Sequence, residues 1–314
     1  MGEVYLVTGG AGFIGSHIVD ELLQRGNDVR VLDNFSTGSR DNISHIAGNV
    51  ELVEGDIQSY ERVHRAARGV DYVVHLAALP SVPRSVQDPL TTHQVNSTGT
   101  LNVLLAARDE DVRRVVVASS SSVYGANPSL PKREDMSQMP ISPYGVSKLA
   151  AEQYCSAFSR VYDLETVALR YFNVFGPRQN PNSQYSAAIP KFLRAATHGE
   201  RPVVYGDGKQ TRDFTYVRNV VHGTLAALTA PEASGHIMNL ACGDSHSVLD
   251  LVDAIGRALG ITLDCDFELE RAGDIKDSYA DITLARKLLG YEPTVRLQEG
   301  IRLMVEPMVG GTES

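Results

Sequence analysis

The sequence contains few cysteines and no recognisable metal-binding motif. Its 314 residues include only Cys155, Cys242 and Cys265, which lie far apart and have no C-x-x-C spacing. This usage predicts free thiols in a reducing compartment, and it argues against a disulfide framework. The nine histidines are scattered and form no H-E-x-x-H pattern. We therefore expect no metal site.

The chain also lacks the patterns of a secreted, membrane-inserted or nucleic-acid-binding protein. No basic stretch precedes an apolar one near residue 1, and no apolar run approaches the roughly 18 residues that a membrane span needs. We therefore expect a cytoplasmic protein that does not bind membranes. The formal net charge of −9 argues against a general nucleic-acid binder. A local anion site remains compatible with that charge, because helix N-termini and a few arginines can hold phosphates.

The first half of the chain alternates short apolar runs with helix-length segments. The runs are rich in Val and Leu with little polar alternation, as in strands covered on both faces. This rhythm predicts a doubly wound parallel α/β sheet built from βαβ units. The predicted strands are 4–8, 29–33, 50–54, 72–77, 114–119 and 166–171, and the predicted helices are 14–25, 60–67, 95–109 and 143–162.

The regular alternation of predicted strands and helices ends after residue 172. Residues 173–186 are rich in Gly, Pro, Asn and Gln, which predicts a long loop. Later segments mix short strands and helices. We expect a Rossmann-like dinucleotide-binding domain over 1–172, to which 213–242 returns. A smaller mixed α/β lobe would be formed by 173–212 and 243–314.

A glycine-rich turn joins the first predicted strand to the first predicted helix. Gly9, Gly12 and Gly15 allow a tight turn, close approach of a pyrophosphate to bare backbone, and packing of the helix on the strand. The helix N-terminus then offers N–H groups and a partial positive charge to the phosphates. The second strand ends in Asp33, 24 residues after Gly9. A carboxylate there favours NAD over NADP, since it binds ribose hydroxyls and repels a 2′-phosphate.

A second constellation combines serine, tyrosine and lysine. Four serines, Ser119 to Ser122, end the fifth strand, at the sheet edge that faces the ligand crevice. Tyr144 and Lys148 follow at i, i+4 spacing, which places both on one helix face. An ammonium group beside a phenol favours the phenolate, so that the tyrosine can act as a base near neutral pH. These groups could take a proton from an alcohol while its hydride leaves for NAD.

With these motifs in order, the chain resembles the extended short-chain dehydrogenase/reductase family and, within it, the UDP-sugar 4-epimerases that act on UDP-glucose or UDP-N-acetylglucosamine. The likeness covers nearly the whole chain. It rests on the glycine turn, Leu32-Asp-Asn34, Glu54-Gly-Asp-Ile57, His75-Leu-Ala-Ala78, Ser119–Tyr124, Ser142-Pro-Tyr-Gly-Val-Ser-Lys148, Leu169–Arg178, Gly206-Asp-Gly208, Thr211-Arg-Asp213 and Arg271-Ala-Gly-Asp274.

The resemblance implies a role for individual residues. Ser120, Ser121, Tyr144 and Lys148 would be catalytic, with Tyr144 as the base and Lys148 on the nicotinamide ribose. The NAD site would include Gly9, Gly12, Phe13, Ile14, Gly15, Asp33, Asn34, Phe35, Ser36, Thr37, Gly38, Asp56, Ile57, Leu76, Ala77, Ala78, Pro80, Asn96 and Phe172, together with Tyr144 and Lys148. The UDP-sugar would contact Ser122, Asn173, Arg178, Ala188, Tyr205, Arg212, Arg271, Asp274 and Ser278, with Arg212 and Arg271 on the diphosphate.

The implied reaction is epimerisation at C4, by transient hydride transfer to tightly bound NAD through a 4-keto sugar. Related 4,6-dehydratases carry an Asp-Glu pair where this chain has Ser121 and Ser122. Serine cannot replace that acid–base pair near neutral pH, which argues against a lyase. The alternatives are a UDP-glucuronate 4-epimerase, a dehydratase or decarboxylase, and a non-catalytic NAD-binding protein. The family also implies a homodimer through helices 95–109 and 143–162.

The breadth of substrates depends on one position in the same family. A residue after the Arg-x-Gly-Asp motif limits the space for an N-acetyl group, and here it aligns with Ser278. A small serine would admit N-acetylated sugars. An alignment shifted by one residue would place Tyr279 there and reverse that expectation.

Overall fold

The computed structural model describes residues 2–180, 188–270 and 275–309. The strands are β1 (Val4–Thr8), β2 (Asp28–Asp33), β3 (Val50–Glu54), β4 (Tyr72–His75), β5 (Arg114–Ser120), β6 (Glu165–Tyr171), β7 (Val174–Phe175), β8 (Val203–Tyr205), β9 (Thr211–Arg212), β10 (Thr215–Tyr216), β11 (Ile237–Leu240), β12 (His246–Ser247), β13 (Asp266–Glu268) and β14 (Asp277–Ser278). The helices are α1 (Phe13–Gln24), α2 (Tyr60–Ala67), α3 (Val82–Gln87), α4 (Pro89–His93), α5 (Gly99–Asp109), α6 (Pro143–Val161), α7 (Ala188–Thr197), α8 (Val217–Thr229), α9 (Val248–Leu259), α10 (Thr283–Leu289) and α11 (Leu297–Val309).

Seven strands form one parallel sheet in the order β11-β6-β5-β4-β1-β2-β3. The strand order reverses between β1 and β4, which is where a doubly wound sheet opens a ligand crevice. The predicted Rossmann-like fold is confirmed. Each of the six predicted strands of the first half is present, with its ends within two residues of the predicted ones.

Alternating side chains of the central strands enter two separate hydrophobic cores. Val7 of β1 and Val116 of β5 pack in the larger core, together with α1 and α8. Leu6 of β1 and Val115 of β5 pack in the other, with α2, α5 and α6. Since both faces of the sheet are covered, these strands need apolar residues at nearly every position.

The structure differs from the sequence expectations at several element ends. Strand β3 is an edge strand and is only partly buried. Strand β4 stops at His75, two residues before the predicted end, because the N–H of Ala77 donates to the Thr8 hydroxyl (3.3 Å). The predicted helix 95–109 starts as a π-helical turn over Gln94–Thr98. Helices α3 and α4 were not predicted, and each begins with a proline in its first turn.

Several short strands lie outside the main sheet. Strands β12, β9 and β14 make one small sheet, while β8 pairs with β13 and β7 pairs with β10. Strand β11, late in the chain, pairs with β6 of the main sheet. The division into two lobes at the stated residues stays a prediction. None of the described helices is long and apolar enough to cross a membrane.

A buried ion pair joins helix α6 to the sheet beneath the crevice. Arg170 on β6 donates from Nε to Glu152 Oε1 (2.8 Å) and from Nη2 to Glu152 Oε2 (2.7 Å). Ser119 on β5 donates to the same carboxylate at 2.5 Å. Both charged side chains are essentially without solvent exposure. Burial lowers the pKa of Arg170, but the hydrogen bonds to Glu152 outweigh it and hold that pKa above its usual value.

Removing one partner of this pair should be far more costly than removing both. We expect Glu152→Gln to lower the free energy of unfolding by about 3–5 kcal/mol, because it leaves the Arg170 cation buried without a counter-charge. The double variant Glu152→Gln/Arg170→Met removes both charges and should recover most of that loss. Urea unfolding of the wild type and the variants measures the difference. A double variant as unstable as the single one would contradict this account.

Candidate active site

A cleft of about 1010 Å³ opens at the carboxyl edge of the parallel sheet. It runs from the ends of β1, β2 and β3 past β5 and the start of α6 to the small sheet of β9 and β14. The predicted site residues that line it are Gly9, Gly12, Phe13, Ile14, Gly15, Asp33, Asn34, Ser36, Thr37, Gly38, Asp56, Ile57, Leu76, Ala77, Ala78, Pro80, Ser120, Ser121, Ser122, Tyr144, Lys148, Asn173, Arg212 and Ser278.

The turn after β1 tolerates only glycine at its key positions. Gly9 has φ +71°, a conformation that L side chains rarely adopt. A Cβ at Gly15 would overlap the Gly9 carbonyl oxygen, and one at Gly38 would approach Ala11 to 2.8 Å. Gly12 precedes α1 and offers no side chain as a cap. The result is a bare-backbone cradle at a helix N-terminus, which suits the pyrophosphate of a dinucleotide.

Asp33 is buried at the end of β2. Its carboxylate accepts hydrogen bonds from Ala11 N (2.9 Å) and Phe35 N (2.8 Å), so it also holds the glycine turn in place. Burial raises the pKa of Asp33, while these backbone donors lower it. Asn34 next to it donates to Asp56 at 2.9 Å, which joins the ends of β2 and β3. The adenosine side of the predicted NAD site is thus one connected set of polar groups.

Tyr144 and Lys148 reach the cleft from the first turns of α6. Ser142 caps this helix by accepting from Gly145 N (3.1 Å), and Pro143 occupies its first turn, as predicted. Lys148 Nζ donates to the Ala118 carbonyl (2.8 Å) and lies 6.0 Å from the centre of the Tyr144 ring. Burial lowers the pKa of Lys148 to about 8, although Glu152 and Cys155 act in the opposite direction.

The phenol of Tyr144 interacts with Ser120. Burial raises the pKa of Tyr144 in the protein alone, and the hydrogen bond with Ser120 lowers it. Burial is the larger effect, which differs from the lowered pKa expected for a base. An adjacent positive charge is therefore needed before this tyrosine can ionise near neutral pH.

Three residues of the serine cluster, Ser119, Ser120 and Ser122, make different contacts. Ser119 binds Glu152 below the cleft, and Ser120 faces Tyr144 and accepts from Ser122 N (3.2 Å). The Ser122 hydroxyl is buried and has no hydrogen-bond partner among the described residues. An unpaired buried hydroxyl is costly unless a ligand or water satisfies it, so Ser122 fits a ligand contact.

The sugar side of the cleft includes Ser278 and not Tyr279. Ser278 lies on β14, opposite Arg212 of β9, and lines the cleft. Tyr279 is absent from the described lining, and its carbonyl accepts from Lys132 N (2.8 Å). This placement favours the alignment in which the small residue faces the ligand.

Six predicted residues lie outside the described lining. Asn96 binds the Leu79 N–H (2.8 Å) and the Ser147 hydroxyl (3.0 Å), so it supports the cofactor loop from behind. Phe172 is buried beside the Tyr124 ring. Arg178 pairs with Asp20 on α1 (2.7 Å). The others are Phe35, beneath Arg40, Ala188, at the start of α7, and Tyr205, at the end of β8. Arg271 and Asp274 fall outside the described residues.

Several lining residues were not predicted. Ser81 to Arg84 at the start of α3, Ile141 and Ser142 before α6, and Gln179 and Asn180 after β7 all face the cleft. Prolines at positions 80 and 83 could have indicated a rigid loop that enters a short helix. Nothing in the sequence alone showed that the long segment 173–180 folds back over the crevice.

His75, in the strand next to β1, is neutral and structural. Its ring lies between the hydroxyls of Thr8 (2.7 Å) and Thr100 (2.9 Å). Burial, followed by the nearby Lys148 charge, lowers the pKa of His75 to about 3. The histidine thus braces the turn between β4 and the cofactor loop and does not compete as a base.

Known proteins resemble this chain along almost its whole length. A UDP-glucose 4-epimerase from Mycolicibacterium smegmatis is 40% identical over 306 residues, which cover 96% of this chain and 97% of that protein. A solved UDP-N-acetylglucosamine 4-epimerase from Methanobrevibacter ruminantium, in complex with UDP-N-acetylmuramic acid, superposes with a TM-score of 0.94 at 39% identity over 99% of this chain and 100% of the other.

A third relative is named for a different UDP-sugar and was solved with an analogue of it. A mutant of the UDP-glucuronic acid 4-epimerase from Bacillus cereus, solved with a fluorinated UDP-glucuronic acid and NAD, superposes with a TM-score of 0.90 at 32% identity over 98% of this chain and 99% of that one. The signature of the NAD dependent epimerase/dehydratase family matches residues 5–241. The glycine cradle and the residues Ser120, Tyr144 and Lys148 lie within that match, and this chain belongs to the NAD dependent epimerase/dehydratase family.

Proposed function

We propose that this enzyme is a UDP-sugar 4-epimerase that interconverts the gluco and galacto configurations of UDP-glucose and of UDP-N-acetylglucosamine. The observation that carries the proposal is the meeting of Ser120, Tyr144 and Lys148 at one wall of the cleft, with serines at the two positions that a dehydratase needs for an acid–base pair. Epimerisation needs only one proton carrier and a reversible hydride acceptor, and this wall supplies the first.

The three residues would divide the proton chemistry among them. The Tyr144 oxygen takes the proton from the sugar hydroxyl at C4 and later returns it. Ser120 holds a hydrogen bond to the same phenol and orients it. Lys148 is fixed by the Ala118 carbonyl and presents a positive charge behind the ring, which favours the phenolate. NAD, when bound, supplies a reversible hydride acceptor.

The cradle would hold NAD through the backbone of Gly9 to Gly15 and the carboxylate of Asp33. At the other end, Arg212 and Asn173 would bind the diphosphate, since a guanidinium fork suits phosphate oxygens. The cleft of about 1010 Å³ exceeds the upper range of ordinary ligand pockets, about 300–1,000 Å³. The same cleft is lined by both the predicted cofactor residues and the predicted sugar residues, so it would hold the two ligands side by side.

A lyase is disfavoured by the chemistry of the wall. Ser121 and Ser122 occupy the positions of the acid pair, and their hydroxyls cannot act as a general acid or base near neutral pH. A non-catalytic NAD-binding role would leave the Tyr144–Lys148 arrangement unexplained. UDP-glucuronate is the remaining substrate to compare, since the Bacillus cereus relative carries that name.

The first prediction concerns the base. Tyr144→Phe should lower kcat by about 10²–10⁴-fold, because it removes the proton acceptor and keeps the ring that fills the wall. UDP-sugar binding should change little. Purified protein is incubated with UDP-glucose or UDP-N-acetylglucosamine without added NAD, and the epimers are resolved by chromatography and NMR. Tyr154→Phe, on the solvent side of the same helix, is the control. Undiminished turnover by Tyr144→Phe would remove Tyr144 from the mechanism.

The second prediction concerns the choice of sugar. Ser278→Tyr should reduce kcat/KM for UDP-N-acetylglucosamine at least about tenfold relative to UDP-glucose, because a bulky ring would occupy the space of the N-acetyl group. Ser278→Ala, which adds no volume, should leave the ratio near the wild-type value. Parallel assays with UDP-glucuronate test the third sugar. An unchanged ratio in Ser278→Tyr would show that another residue limits the pocket.

A further inference from the structure

Asp213 is a fully buried carboxylate at the junction of the small lobe and the main sheet. It follows Arg212 directly and lies below the cleft surface. Its side chain accepts three backbone hydrogen bonds, from Cys242 N (2.9 Å), Gly243 N (2.9 Å) and Ala280 N (3.3 Å). The first two donors follow β11 of the main sheet, and the third follows β14. One carboxylate thus ties two separate chain segments to the strand of Arg212.

The backbone of Asp213 continues the same connection. Its N–H donates to the Ser278 carbonyl at 2.9 Å. Its carbonyl accepts from the Asn173 side chain at 3.3 Å. Arg212, Ser278 and Asn173 all line the cleft, and each is either next to Asp213 or hydrogen-bonded to it.

We propose that Asp213 is the positioning residue for the nucleotide-sugar end of the site. Its carboxylate binds the amides of Cys242, Gly243 and Ala280 and so anchors the Asp213 backbone to the main sheet and to the segment after β14. That anchored backbone holds Arg212, Ser278 and Asn173 relative to one another. The inference rests on the proposed function only for the identity of the ligand. The role concerns binding, because Asp213 does not itself line the cleft.

The charge state of Asp213 gives this role a pH dependence. Burial raises the pKa of Asp213, the three backbone donors lower it, and the charge of Asp244 raises it slightly. The net result is a pKa of about 6. The other groups around it are the Cys242 thiol, Tyr291, which donates to the Ala241 carbonyl, and Arg296, which binds the Cys242 carbonyl and Asp244. His246 lies opposite Arg212 in the pairing of β12 with β9.

Protonation of Asp213 should loosen the site without unfolding the protein. The folded-state pKa lies above the ordinary value of 3.8. The contribution of this group to the free energy of unfolding is therefore largest below 3.8 and is lost as the pH rises through about 6. The fold therefore tolerates the neutral acid. Protonation nevertheless removes the negative charge that the three amide donors bind, which weakens these hydrogen bonds. Asp213→Asn imitates that neutral state, and we expect it to fold.

The experiment measures KM and kcat for UDP-glucose between pH 5 and pH 8, with the Kd of UDP-glucose from calorimetry in parallel. The diphosphate diester of this ligand does not titrate in that range. At pH 8, Asp213→Asn should raise KM and Kd about tenfold, the size expected for one misplaced charge-assisted phosphate contact, with kcat within about twofold of the wild type. The wild-type Kd should rise toward the value of the Asp213→Asn variant as the pH falls through 6, and the Kd of the variant should stay flat.

Two control variants separate this role from general effects. The first control is Glu134→Gln. Like Asp213, Glu134 accepts a backbone N–H (from Asn239, 2.8 Å) and has a pKa that burial raises. Neither Glu134 nor Asn239 lines the cleft among the described residues. This variant should leave KM unchanged. His246→Gln should keep the wild-type pH dependence. If it abolishes that dependence, His246 is responsible and the proposal is overturned.

The remaining outcomes also support or overturn the proposal on Asp213. A flat wild-type Kd from pH 5 to pH 8 overturns the proposal, even if the Asp213→Asn variant fails to fold. An Asp213→Asn variant with wild-type Kd and only a lower melting temperature shows a purely structural role and overturns it as well. Binding that follows the expected pattern without any epimerisation would support Asp213 and reject the proposed function. A Tyr144→Phe enzyme that still turns over would reject the catalytic assignment alone.

Discussion

The bidentate contact between Arg170 and Glu152 supports the wall of the cleft that contains Ser120, Tyr144 and Lys148. Glu152 lies one helical turn beyond Lys148 and two beyond Tyr144 on α6, and Arg170 comes from the neighbouring strand β6. Because Ser119 binds the same carboxylate, the helix is held against the end of β5 where Ser120 begins to face the cleft. A charge pair needs close geometry in a dry interior, so it fixes the register of helix and strand more strictly than apolar contacts would.

The same pair belongs to a longer polar series that crosses the protein below the cleft. Arg170 stacks on the Tyr124 ring at 4.7 Å, and the Tyr124 hydroxyl donates to Asn239 at 2.7 Å. Asn239 in turn donates to the carbonyls of Lys132 and Asp281. The series therefore links α6 and β6 with β11 and with the segment that follows β14.

Much of the fold could be predicted from the sequence, because buried parallel strands are continuous apolar runs with sharp ends. The glycine turn, Asp33, Tyr144 and Lys148 could be predicted because their spacing in the sequence is typical of one local structure, a strand–turn–helix or one face of a helix. The supporting positions were less accessible. Asn96 and Arg178 were predicted to contact ligands, and those contacts stay predictions. Their bonds to Leu79 and Asp20 were not predicted, because only the tertiary structure reveals such partners. The short elements were the hardest to predict. Helices α3 and α4 have six and five residues, too few for a clear apolar periodicity, and their starts are set by prolines and caps.

The sequence places Asp213 in the motif Thr211-Arg-Asp213 but does not indicate its partners, since the segments it joins lie between 29 and 67 residues further along the chain. Its importance comes from long-range hydrogen bonds that no sequence window contains. The pairing of β11 with β6 is equally distant in sequence, because α7, α8 and several short strands lie between the two. A fragment that ends near residue 172 would expose the edge of β6, with the alternating apolar residues of Thr166 to Tyr171 beside it. Exposed edges of this kind pair with other chains and aggregate. The main sheet therefore depends on β11, which comes after α7 and α8 in the chain, to cover the edge of β6.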